Sequence, residues 1–177
     1  MRFKIGKKRD AVKGLAFIKP LKLLRKTPKV EFYNVQGVLS HLSAVDKVIH
    51  QKNAVSPSVK GSKVKRPWYM HPCQEDNLLV HEGKRFVDLY SVKHGKIEKF
   101  EATSKYIKHN SKIIFKGAAI LGWPTHVFHR VRSPNGSIST NYAKHYKNFD
   151  IRTNFNIYDV DIKNKKFGVL REGHKDQ

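Results

Sequence analysis

WYMHPCQEDNLLVHEG, from Trp68 to Gly83, and WPTHVFHRV, from Trp123 to Val131, decide how this chain is read. Each sets polar, metal-capable side chains among apolar and aromatic ones, in segments that read as strands. A strand turns successive side chains to opposite faces, so alternate residues can be aimed into a barrel. Two such stretches facing each other would gather His71, Asp76 and His129 around one point.

The segments around them repeat the strand pattern. Leu78–His81 and Phe86–Ser91 flank Gly83, and Ile97–Glu101 follows a turn at His94–Gly95. Lys112–Lys116 and Ala118–Leu121 flank Gly117. Val127–Val131 and Ser137–Asn141 flank Pro134-Asn135-Gly136, which predicts a hairpin turn. Phe155–Tyr158 and Phe167–Leu170 complete the set. Short strands at regular spacing predict an all-β sandwich or barrel, and no helix-period segment competes in this half. Upstream, Val30–Ile49 is also strand-like, and Gln51–Arg66, polar with Pro57 and Gly61, predicts a loop. KPLKLLRK, Lys19–Lys26, reads equally as a short helix or as an edge strand and turn. The expected organisation is a basic N-terminal extension over 1–29 and one β-barrel domain over 30–177.

Composition bounds the partners. The chain has 177 residues, 39% of them hydrophobic, which suits one buried core. It contains no run of about 18 apolar residues, so no spanning helix is expected. The basic start lacks an apolar core with a small-residue cleavage site, so no secretory signal is expected. A single cysteine, Cys73, fits a reducing cytoplasm. Lys and Arg number 36 against 14 Asp and Glu, a net charge of +22. Residues 1–66 hold 17 basic and 3 acidic residues, a net of +14. Such a chain attracts polyanions at low salt, so nonspecific contact with nucleic acid is one expectation. Only 9 of the 36 basic residues are Arg, whereas base readers favour the bidentate Arg fork, so a solvated lysine surface is the competing reading.

Residues 30–160 resemble the cupin superfamily of small jelly-roll barrels. The first cupin motif has two histidines two apart, a glutamate five after the second and a glycine seven later. Tyr69, His71, Asp76 and Gly83 stand at that spacing. The second motif has a proline followed five residues later by a histidine, as Pro124 and His129 do here. The resemblance implies a double-stranded β-helix, with an open metal site or a small-molecule pocket inside. Tyr69 and Asp76 depart from it, taking the places of the first histidine and the glutamate. His71, Asp76 and His129 are then the surviving ligands, a set chemically suited to Fe, Mn, Ni or Zn. Gln74 and His126 are reserves, His126 standing where the motif commonly has glycine.

A narrower resemblance is to the nucleotide-sugar epimerases and isomerases, which often carry an arginine, an aromatic and a histidine entering the first motif. Arg66, Trp68 and His71 are similar in style. That resemblance implies a metal-free reaction in which His71 or His129 acts as general base, a role that suits a group titrating near neutrality. Its ligand would be an anionic or sugar molecule touched by Arg66, Trp68, Tyr69, Gln74, Trp123, His126 and Arg130. Each residue also has a plainer reading: a satisfied core histidine, mouth packing for the aromatics, a solvated strand face for Arg130. The leading expectation is a barrel with a metal-capable small-molecule pocket, an enzyme of unspecified substrate. The metal-free sugar enzyme is the alternative, and a noncatalytic module whose basic N-terminal region binds a polyanion is the third. Exposed barrel edges in cupins commonly pair between chains, so a homodimer is expected.

Overall fold

The computed structural model describes residues 8–35 and 41–176. Within them the chain folds as antiparallel strands: β1 (Arg9–Val12), β2 (Ala16–Pro20), β3 (Lys22–Lys26), β4 (Glu31–Asn34), β5 (Ala44–Ser56), β6 (Trp68–Met70), β7 (Gln74–Gly83) and β8 (Arg85–Tyr90). They continue as β9 (Glu98–Ala102), β10 (Tyr106–His109), β11 (Lys112–Lys116), β12 (Ala119–Trp123), β13 (Phe128–His145), β14 (Ile157–Asp161) and β15 (Lys166–Arg171). One short helix, α1 (Ile151–Asn154), interrupts them. Among the described residues no helix is long and apolar enough to cross a membrane.

β13 organises the barrel. Its first half, Phe128–Arg132, pairs with β8, which leads through β9 and β10 to β11. Its second half, Ser137–His145, pairs with β7, which leads through β12 and β2 to β1. Along its other edge β13 pairs with β6 and then, from Val131 to Ala143, with β5. One bent strand therefore serves both sheets of a jelly roll, and this is the all-β cupin-type barrel. Leu78, Val80, Leu121 and Ile18 from one sheet meet Val87, Leu89, Phe100, Ile107 and Val131 from the other in the central core.

Pro134-Asn135-Gly136 is thus not a hairpin turn. Asn135 pairs with Lys52 and Ser137 with His50 inside a continuous ladder. The tripeptide is the bend where β13 passes from β8 to β7. Gly136 takes φ +79° there, beside Gly83 at φ +68°. A Cβ on Gly83 would lie 2.4 Å from the Gly136 carbonyl oxygen, so the two backbones meet at a distance only glycine permits.

Other expectations shift for similar reasons. The predicted loop Gln51–Arg66 begins as strand, because β5 runs to Ser56 along β13. The stretch Val30–Ile49 is split: β4 ends at Asn34 and β5 begins at Ala44, while Val38 and Leu39 lie outside the described residues. Lys22–Lys26 resolves as a strand paired with β4 in a separate two-stranded sheet. β1 and β2 join the main sheet, and Leu15, Ala16 and Ile18 enter the core, so the basic lead supplies barrel strands. Outside the barrel, β14 and β15 cover Trp68, Met70, Tyr90 and Phe128, with Tyr158 closing that cluster.

Candidate functional site

The strand period places the site. On β7, Gln74, Asp76 and Leu78 point between the sheets, while Glu75 and Asn77 face outward and hold Lys19 at 3.1 and 2.7 Å. On β13, His129 and Val131 point inward, and His129 pairs directly with Tyr69 of β6. β5 adds Asp46, Val48 and His50. Together with His71, Arg85, Trp123, Asn141 and Phe155 these side chains line a cavity of about 220 Å³.

His71, Asp76 and His129 converge inside it, all at least nine-tenths buried. The two imidazole centroids lie 4.7 Å apart. His71 Nε2 is 3.4 Å from Asp76 Oδ2, and His129 Nε2 is 3.8 Å from the same atom. The other ring nitrogens are occupied: His71 Nδ1 donates to the Asn154 carbonyl at 2.5 Å, and His129 Nδ1 to the Val127 carbonyl at 3.3 Å. Those bonds assign the Nδ1–H tautomer to both rings and leave both Nε2 lone pairs turned toward Asp76.

Asp76 is held by one oxygen only. Oδ1 accepts from Gln74 Nε2 at 2.7 Å and from Asn141 Nδ2 at 2.8 Å. Oδ2 is buried without a hydrogen-bond partner among the described residues, and so is the indole Nε1 of Trp123. The cavity therefore presents one unmatched acceptor and one unmatched donor. Buried polar atoms are nearly always paired, so two orphans lining one cavity mark it as built for a guest. Burial opposes ionisation of Asp76, but the two imidazoles and the hydrogen bonds from Gln74 and Asn141 outweigh it and hold its carboxyl below the ordinary range. Burial, with His71 alongside, pushes His129 down to about 4 against the pull of Asp76. At neutral pH His129 is thus neutral.

α1 supplies the support. Asp150 caps it by accepting from the Arg152 N–H at 2.9 Å. The helix delivers Asn154, fully buried, whose carbonyl takes His71 and whose amide Nδ2 donates to Gln74 Oε1 at 3.1 Å. Asn154, Gln74 and Asp76 form one chain of hydrogen bonds behind the two histidines.

Of the residues expected from the sequence, the cavity gathers Tyr69, His71, Gln74, Asp76, Trp123 and His129. Arg66, Trp68, His126 and Arg130 stand elsewhere. Trp68 and Arg130 are out of phase with Tyr69 and His129, so the strand turns them to the outer face. There the Arg130 guanidinium stacks 4.1 Å from the Trp68 ring, donates to Asp88 at 2.9 Å and donates to the Arg66 carbonyl at 2.9 Å. His126 occupies a turn at φ +62°, with its ring exposed and its N–H donating to the His71 carbonyl. Asp46, His50, Arg85, Asn141, Asn154 and Phe155 are the additions the sequence reading missed.

The three convergent atoms also fit a metal. All lie within 4.8 Å of one another, two nitrogens and one carboxylate oxygen on rigid strands or beside them. Donors about 2.0–2.2 Å from one ion stand at most about 4.4 Å apart, which the 3.4 and 3.8 Å from the two imidazoles to Asp76 satisfy, and the unpartnered Oδ2 is the atom that an ion would engage.

No family model matches the sequence, and no curated protein sequence matches it. Solved structures do match its fold. The dTDP-4-dehydrorhamnose 3,5-epimerase of Sulfolobus tokodaii aligns over 82% of this chain and 78% of its own, with TM-score 0.54 and 13% identity. NovW, a 4-keto-6-deoxy sugar epimerase of Streptomyces spheroides, aligns over 84% and 72%, with TM-score 0.56 and 11% identity. QdtA, a sugar 3,4-ketoisomerase of Thermoanaerobacterium thermosaccharolyticum solved with TDP, aligns over 76% and 82%, with TM-score 0.54 and 11% identity. These likenesses establish the cupin-type barrel.

Proposed function

We propose that the cavity is the active site of a carbohydrate epimerase or isomerase in which His71 moves a proton at a carbon beside a keto group. The observation that carries this reading is the pairing of His71 with the unpartnered Asp76 Oδ2 inside a buried cavity. The match in fold to sugar epimerases and isomerases supports it. His71 Nε2 accepts the proton, and the C–H electron pair passes to the carbonyl oxygen as an enolate. Asp76 balances the imidazolium, and Asn154 fixes the ring. The Trp123 Nε1–H is the donor available to the enolate oxygen. Reprotonation of the same carbon from the opposite face by a second acid, with the His71 proton passing to solvent, epimerises it; reprotonation of the former carbonyl carbon by His71, with the α-hydroxyl proton passing to the enolate oxygen, isomerises the sugar. Trp123, Tyr69 and Phe155 form the aromatic wall against the two imidazoles.

The test is exchange in heavy water with dTDP-4-keto-6-deoxyglucose, free keto sugars and keto acids, keto sugar acids included. Deuterium should enter beside the keto group, and His71→Asn should slow this by about 10²–10⁴, the usual worth of a general base. Exchange that survives His71→Asn, or is absent throughout the panel, overturns the reading.

A second reading rests on the same orphaned Oδ2: His71, Asp76 and His129 hold a divalent transition metal, which would polarise a ligand oxygen as a Lewis acid. Elemental analysis of purified protein decides it. A stoichiometric metal lost in His129→Ala supports this reading, and metal-free protein with full exchange activity removes it. We include a homodimer in the proposal, on the open edge of β5 and its outward Val45 and Ile49, 60% and 53% exposed. A reducing cytoplasm is also included, on the single free Cys73.

A further inference from the structure

The cavity has a second polar end that the proton-transfer cluster does not use. Arg85 opens onto it from the start of β8, yet only 4% of the residue is exposed. Buried arginines are ordinarily paired with acids. Among the described residues Arg85 has no carboxylate within ion-pair distance. Its protein contacts are neutral: Nε donates to Ser137 Oγ at 3.1 Å and Nη2 to the Val48 carbonyl at 3.1 Å. A guanidinium carries five N–H groups in one plane. Those two bonds use the edge formed by Nε and Nη2. The outer edge, Nη1 with the second hydrogen of Nη2, keeps two parallel donors, the fork that takes a carboxylate bidentately.

The surroundings continue the same polarity. Ser137 Oγ lies 2.9 Å from Ser133 Oγ, which lies 3.0 Å from His50 Nδ1. Arginine can only donate, so a relay running from Arg85 through Ser137 and Ser133 satisfies each hydroxyl and ends on His50 Nδ1 as acceptor. The proton of His50 is then assigned to Nε2, a further donor on a cavity-lining ring. Burial and the Arg85 charge push His50 down to about 4, so it is neutral and no anion is supplied by the protein. Burial pushes Arg85 down to about 10, and it remains a cation. The acids of the cavity, Asp46 and Asp76, are bound up with Asn141, four residues further along β13 than Ser137. Arg85 itself reaches β5 at Val48, two residues or roughly 7 Å of strand from Asp46, and makes no ion pair with it among the described residues.

Size limits the guest. About 220 Å³ lies below the roughly 300–1,000 Å³ typical of pockets for drug-sized ligands. A nucleotide sugar would leave its nucleoside outside, whereas Arg85 is sealed within. We propose that Arg85, assisted by His50, anchors the carboxylate of a small substrate, so that the substrate class is a keto or hydroxy acid, sugar acids included. This rests on reading the cavity as a small-molecule site, and it names the substrate class for that site.

Calorimetric titration tests it, with D-glucuronate and pyruvate as carboxylate probes, D-glucose as the neutral probe, and inorganic phosphate and dTDP as other anions. A carboxylate probe should bind the native protein at least about tenfold more tightly than glucose, phosphate or dTDP. Arg85→Met should abolish that preference. Arg85→Lys keeps the charge and loses the fork, so it should weaken carboxylate binding by about tenfold. If Arg85→Met does not fold, Arg85→Lys decides alone. Undiminished carboxylate binding in Arg85→Lys, tighter binding of phosphate or dTDP, or no saturable carboxylate binding up to about 10 mM overturns the proposal. None of these readouts uses proton exchange, so failure here and failure of the His71 mechanism are separable.

Discussion

Asp76 shows how much one side chain can be asked to do. Its two oxygens have divided roles: Oδ1 is fixed by Gln74 and Asn141, and Oδ2 faces two imidazoles. Asp76→Asn keeps the shape and the acceptor at Oδ1 but replaces the free oxygen with a donor. The fold should survive, as judged by an unchanged circular dichroism spectrum. Deuterium exchange should fall about 10²-fold, and any bound metal should be lost. Exchange at the native rate would remove Asp76 from the proton-transfer cluster. Gly122 is the opposite case, a site of pure packing. A Cβ there would sit 2.2 Å from Phe17 Cε2 and 2.9 Å from the Asp76 carbonyl oxygen. Gly122→Ala should destabilise by about 1–3 kcal/mol in urea unfolding, the usual cost of overpacking. The histidines and Asp76 were legible in the sequence because motif spacing and strand parity reach them. Arg85, His50 and Asn141 were not, because they reach the cavity only through pairing registers that no local pattern encodes.

Elements are where local signals and tertiary pairing compete. Pro134-Asn135-Gly136 carries the composition of a turn, and an isolated peptide would have reason to turn there. β5 lies alongside from Ala44 to Ser56 and captures the segment into one long ladder, so the same residues become a bend. β5 itself read as loop beyond Gln51 because its residues there are polar, as suits an edge strand with a largely exposed face. The β9–β10 hairpin offers a measurable pin. Glu98, 3% exposed, accepts from His94 Nε2 at 2.8 Å and from His109 Nε2 at 2.7 Å, with Asn110 Nδ2 also donating at 2.8 Å. Burial opposes its ionisation, but these donors overcome it and hold the carboxyl down to about 2. A folded value below the unfolded one, near 4.3, gives stability that is present above about pH 4.5 and lost as pH falls toward 2. The loss should amount to about 2–3 kcal/mol, and Glu98→Gln should flatten that part of the stability curve. Parallel curves for the variant and the native protein between pH 4.5 and 2 would show that Glu98 contributes nothing there.

On the scale of the whole molecule, β5 is one of several strands paired on one side only among the described residues, and the chain carries a large excess of positive charge. The two features set opposite expectations for self-association. β5 pairs with β13 on one side only, and its outward Val45 and Ile49 are more than half exposed. A second copy covering that row would close the edge, which natural sheets rarely leave unprotected. Light scattering should then report two chains, and Val45→Glu with Ile49→Glu should report one; a native monomer at micromolar concentration removes the dimer. A net charge of +22 works against such pairing at low salt, so association should tighten as salt rises. The same charge draws polyanions with the reverse salt dependence. Lysine, a compact hydrated charge without the planar fork, supplies 27 of the 36 cations, so attraction without base readout is expected. Titration with duplex DNA near physiological salt should give only sequence-blind binding, within the usual nonspecific range of about 10⁻⁴–10⁻⁶ M, and the affinity should climb steeply on dilution of salt. Sub-micromolar binding that discriminates between sequences at that salt would place a reading surface on this chain. It would also make the cavity the lesser of its two functions.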